Sequence, residues 1–61
     1  MNTRVWYALT RDLRAQMTYG FFTTMAAAMR QRDQQNYRGG YPAHVVRVTV
    51  SSDSQRQEVV I

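Results

Sequence analysis

The 61-residue chain has no cysteine, no lysine, one histidine and one proline. Without cysteine there is neither a disulfide framework nor a thiolate metal site, and His44 alone cannot complete a zinc site, so no metal and no cofactor is expected. These absences matter for stability. A domain of this length buries only about 60 % of the surface its unfolded chain exposes, and small domains normally add a covalent or metal staple. Oligomerisation is the staple left, which leads us to expect a homodimer. Long apolar runs are missing too. The stretch between Arg14 and Arg30 carries no charge, but Gln16, Thr18, Gly20, Thr23 and Thr24 interrupt it, and a membrane span needs about 20 predominantly apolar residues. No membrane association is expected. Met1-Asn2-Thr3-Arg4 leads into only the five apolar residues Val5 to Leu9, too few for the apolar region of a signal peptide. A cytoplasmic location is the expectation, and the lack of cysteine agrees with it.

What the chain does have is arginine. Arg4, Arg11, Arg14, Arg30, Arg32, Arg38, Arg47 and Arg56 stand against Asp12, Asp33, Asp53 and Glu58, giving a formal net charge of +4 and a pI near 10.4. A guanidinium is a planar, permanently charged fork of five donors that matches carboxylates, phosphates and aromatic faces. An acidic partner is therefore expected.

Periodicity suggests the order of elements. Val5-Trp6-Tyr7-Ala8-Leu9 is rich in β-branched and aromatic residues and reads as a short strand. Thr10 is placed to cap a helix, with Asp12 in its first turn. Leu13, Met17, Phe21, Met25 and Ala28 then recur at intervals of four, four, four and three, the spacing of one helical face. A rival reading starts the helix near Thr3, but a helix running from there to Asn36 would be about 50 Å long, awkward for so small a domain. Gly20 is the position where a break or close crossing is expected, since glycine costs about 1 kcal/mol relative to alanine inside a helix. Gly39, Gly40 and Pro42 supply stop signals.

Beyond Pro42 the period falls to two. His44, Val46, Val48 and Val50 share one face, Ser51 to Ser54 form a turn, and Gln55 to Ile61 return as a second strand. The expected fold class is α+β: a short N-terminal strand, one long central helix and a C-terminal β-hairpin, in the order β-α-β-β within a single domain. The first strand would reach the hairpin through a right-handed crossover. A second apolar row on the helix, Ala15, Tyr19, Phe22, Ala26 and Met29, exceeds what one small sheet covers. Tyr19, Phe22 and Met29, together with Trp6, are therefore the expected self-association surface.

Catalysis is hard to assemble from this inventory. General acid–base or nucleophilic chemistry needs a positioned pair or triad, and the chain offers one histidine, four acids and serines in turns. The glycines of Tyr37-Arg38-Gly39-Gly40-Tyr41 lack the strand-to-helix setting and the lysine of a phosphate loop. A non-enzymatic binding function is expected, in first place a dimeric protein-interaction or regulatory module acting on an acidic partner. Arginine, tyrosine, tryptophan and methionine are enriched in interface cores and are well represented here. The alternative is a nucleic-acid-binding accessory protein, with Arg30, Arg32, Tyr37, Arg38, Tyr41 and Arg47 contacting phosphates and stacking on bases. No helix-turn-helix or ribonucleoprotein signature accompanies that surface.

Overall fold

The computed structural model describes residues 3–40 and 42–61. Its elements are β1 (Arg4–Thr10), β2 (Tyr19–Phe22), α1 (Met25–Arg38), β3 (His44–Ser51) and β4 (Ser54–Val59). The strands form one antiparallel sheet in the order β2-β1-β3-β4, and the helix packed on it makes the fold α+β. The strand, the helix and the strand pair after it agree with the sequence reading. The route between β1 and the helix does not.

The helix expected to start just after Thr10 is confined to the 14 residues Met25–Arg38. Thr10 does cap an amide, but that of a loop residue. Its hydroxyl, on a fully buried residue at the end of β1, accepts from the Asp12 amide at 3.0 Å and donates to the Met17 carbonyl at 2.8 Å. The Asp12 carboxylate then accepts from the amides of Arg14 and Gln16, and its carbonyl accepts from Ala15 in a turn. Local side-chain bonds of this kind offer the backbone an alternative to a helix.

Gly20 completes the departure. At φ +79 it adopts a left-handed conformation that interrupts a right-handed helix, and here it makes a bulge in β2. Tyr7 opposes Phe22 and Leu9 opposes Tyr19, so β2 carries one residue more than the stretch of β1 it faces. The inserted β2 also reverses the chain once more than a simple β-α-β unit would. β3 therefore runs antiparallel to β1, and the expected right-handed crossover between parallel strands does not occur.

The helix starts where Thr24, extended at φ −127 and ψ 151, accepts from the Ala27 amide at 3.2 Å. It ends at Gly39, φ +91, whose amide donates to the Asn36 carbonyl. Asn36 then fixes the approach to β3. Its Oδ1 accepts from the Ala43 amide at 2.7 Å and its Nδ2 donates to the Ala43 carbonyl at 3.3 Å.

Alternation along the strands gives the sheet two unlike faces. On the helix side, buried Leu9, Ala28 and Val45 are joined by Tyr7, Phe22, Met29 and Val60. On the other side lie buried Ala8, Ala15, Val46 and Val48, joined by Trp6, Val50 and Val59. The fully buried Ala28, with only a methyl group, lets the helix approach the sheet closely.

The expected second helical row is not present. Tyr19 and Phe22 belong to β2, Ala15 sits in the loop before it, and only Ala26 and Met29 of that row are helical. Phe22 and Met29 pack in the helix-side core, and the Tyr19 hydroxyl donates to Gln35 Oε1 at 2.5 Å. All three residues thus make contacts within the chain, Tyr19 and Phe22 because the bulge turns both toward the helix.

Candidate binding surface

Helix α1 covers one face of the sheet only. The opposite face is built from alternate residues: Trp6, Ala8 and Thr10 of β1 in register with Val48, Val46 and His44 of β3, and beyond them Gln57 and Val59 of β4. Phe21 joins this face by alternation with Phe22, which opposes Tyr7 on the helix side. Without the extra residue Phe21 and Phe22 would still alternate, but Tyr19 and Phe22 could not both turn to the helix. With it, Tyr19 and Phe22 lie on the helix side and Phe21 meets Trp6, their ring centroids 6.0 Å apart at 36°.

That aromatic pair is open to solvent. Phe21 is 66 % exposed and Trp6 is partly so. The loop that lays Ala15 onto the same face also carries Leu13 and Met17, both largely exposed. Large apolar side chains concentrated in this way are the usual mark of an interaction surface rather than of a solvated one.

The electrostatics of this face have one sign. Arg4 lies on it in register with Val50 and the covering loop carries exposed Arg14, whereas Arg11 Nε donates to the Tyr19 hydroxyl on the helix side at 3.5 Å. Among the described residues no strand position on the face is acidic. Asp12, the acid nearest in sequence, has its carboxylate committed to loop amides, while Glu58 pairs with Arg47 at 3.5 Å on the helix side and Asp33 pairs with Arg32. The result is an aromatic and aliphatic platform whose one charged strand residue is Arg4.

No protein-family model, no curated protein and no solved structure matches this chain.

The arginine and tyrosine residues expected to act together at the helix exit are divided. Arg30, Tyr37 and Arg38 lie on the outer side of α1, where Tyr37 is 93 % exposed. Arg32 is turned inward, its side chain 17 % exposed and held by Asp33. Arg47 is on β3 with Glu58, and Tyr41 lies outside the described residues. Of the self-association set, only Trp6 is on the helix-free face. Phe21 and Arg4 also belong to that face, whereas the sequence reading puts Phe21 in a helical stripe and counts Arg4 as one basic charge among eight. The run Tyr19-Gly20-Phe21-Phe22-Thr23-Thr24 holds the signal that would have found Phe21, since aromatic and β-branched residues around a lone glycine mark a bulged strand. Among the described residues there is no cavity and no group of three potential metal ligands.

Proposed function

We propose that this is a non-enzymatic protein-binding module whose working surface is the helix-free face of the sheet, and that its partner presents apolar side chains next to acidic groups. The observation that carries this reading is the exposed Trp6–Phe21 pair on a face that has Arg4 and, among the described residues, no acidic strand position. Aromatic side chains bring large apolar area into an interface at little conformational cost, and arginine adds bidentate bonds to carboxylates at the rim. Matching charge steers encounter and rejects basic partners.

The chain supplies its own reporter, because Trp6 is the sole tryptophan. Binding of an acidic, apolar peptide or protein at this face shifts the tryptophan emission to shorter wavelength, and Phe21→Asp abolishes the shift while preserving the melting temperature. Tyr37→Ala, on the far side of the molecule, leaves binding unchanged. If Phe21→Asp binds as well as the wild type, the face is not the working surface.

A second reading draws support from the helix exit. Tyr37 projects into solvent on the helix side that also carries Arg30 and Arg38, neither of which is ion-paired among the described residues. Single-stranded nucleic acid would stack on Tyr37 and lose affinity steeply with salt. Binding that survives Phe21→Asp but not Tyr37→Ala would select this reading.

A further inference from the structure

The two edges of the sheet differ in a way that bears on assembly. β2 has four residues and an irregular register, a short and bulged edge of the kind that resists further pairing. β4 has six, pairs with β3 in unbroken register from Ser54 to Val59, and contains no lysine or proline. Five of its six residues are exposed and only Val59 is half-buried.

Its free backbone groups are identifiable. The Val60 amide donates to the Val45 carbonyl, which fixes the alternation along β4. Glu58 and Arg56, two and four residues earlier, therefore direct their amides and carbonyls toward β3, while Val59, Gln57 and Gln55 direct theirs outward. The side chains alternate too. Glu58 shares the helix-side face with Arg47, to which it is ion-paired, and Arg56 lies on that face opposite Thr49.

We infer that β4 pairs with β4 of a second copy of this chain, antiparallel about a two-fold axis through Gln57. In this register Gln57 meets Gln57 of the partner subunit and Gln55 meets Val59 of the partner subunit, each as a hydrogen-bonded pair made from outward-directed groups. Arg56 then stands opposite Glu58 of the partner subunit, and Glu58 opposite Arg56 of the partner subunit. These are non-hydrogen-bonded pairs, in which facing side chains come closest and opposite charges are favourable.

Neighbouring registers lose that match. Centring on Arg56 or on Glu58 sets like charges directly against each other, and centring on Gln55 or Val59 leaves both charged residues without an opposite charge across the strand. Charge complementarity thus selects one isologous arrangement. The axis is perpendicular to the sheet, so both helix-free faces lie on the same side of an eight-stranded sheet. The dimer displays two Trp6–Phe21 pairs to one partner surface.

The test uses Arg56→Glu and Glu58→Arg in the full chain. Wild type is expected to sediment as a dimer. Each variant alone places like charges across the axis and weakens self-association by about ten- to a hundredfold. Mixed one to one, the variants set the two carboxylates of one chain against the two guanidinium groups of the other, and they recover a dimer that contains one chain of each. Misfolding cannot produce that recovery. Phe21→Asp should remain dimeric, which keeps this inference separate from the proposed partner site. A monomeric wild type, variants that dimerise as tightly as wild type, or a mixture that stays monomeric would each overturn it. So would a dimer lost in Phe21→Asp but kept in Arg56→Glu, which would place self-association on the aromatic face.

Discussion

Substitution of Gly20 by alanine separates two readings of the segment between Leu13 and Thr24 by the sign of one number. In a helix interior, alanine would stabilise the protein by about 1 kcal/mol relative to glycine. In the bulge of β2, Gly20 has φ +79, where an L-residue with a β-carbon is disfavoured by about 1–2 kcal/mol. A methyl group there would also come within 2.9 Å of the Phe22 ring, Cε2 being the nearest atom, and that ring packs in the helix-side core. For a domain this small, about 1 kcal/mol moves the melting temperature by about 4–8 °C. Gly20→Ala should therefore lower it by about 4–16 °C in thermal unfolding followed by circular dichroism, with a matching fall in the urea midpoint. Combining it with Phe22→Leu isolates the ring contact: if the contact contributes, the double variant is less destabilised than the sum of the singles. Gly39→Ala, at φ +91 and ψ −175 with nothing within 4 Å of the added carbon, should also destabilise, through backbone strain without a steric contact. An unchanged or raised melting temperature for Gly20→Ala would refute the bulge and reinstate a helix through this segment.

Two further substitutions probe the polar contacts that hold the fold's loops. Thr10→Val keeps the shape of a fully buried side chain but leaves the Asp12 amide and the Met17 carbonyl without its hydroxyl, and should cost about 1–3 kcal/mol in urea unfolding. Thr10→Ser, which retains the hydroxyl, should recover most of that loss. Asn36→Ala removes both bonds to the buried Ala43 backbone and is expected to destabilise by a similar amount, about 1–3 kcal/mol, with faster amide exchange measured at Ala43. Asn36→Asp keeps the acceptor for the Ala43 amide but sets a carboxylate oxygen against the Ala43 carbonyl and negative charge in the last helical turn, so it should not restore wild-type stability.

Several local features are decided by the sequence alone. The strand at Val5–Leu9, the period-two run from His44 to Val50, the Ser51–Ser54 turn and the glycine stop after Arg38 all follow from short-range rules, and the structure contains each of them. The alternation assigns Val46 and Val48 to one face, but it does not show that Val45 on the other face is buried as well, under the helix. Thr10 and Asp12 are legible in the sequence as residues that bond to nearby amides. Whether those amides begin a helix or close a loop depends on what comes next.

Only the tertiary structure decided the segment from Leu13 to Phe22. Its apolar residues fit a helical stripe, yet Gly20 takes a left-handed turn, Ala15 is drawn onto the sheet at φ +55, and Tyr19 and Phe22 come to rest beneath α1. A spacing of four is shared by a helix and by a loop that leads into a bulged strand, so periodicity could not distinguish them. What does is long-range contact: β1 needs a partner on its outer side, and the bulge lets β2 turn both Tyr19 and Phe22 to the helix side while Phe21 goes to Trp6. The arginines divide in the same way. Their number and sign are properties of the sequence, but which remain free is set by strand register, which pairs Arg47 with Glu58, and by the helix, which turns Arg32 inward beside Asp33 and leaves Arg30 and Arg38 in solvent.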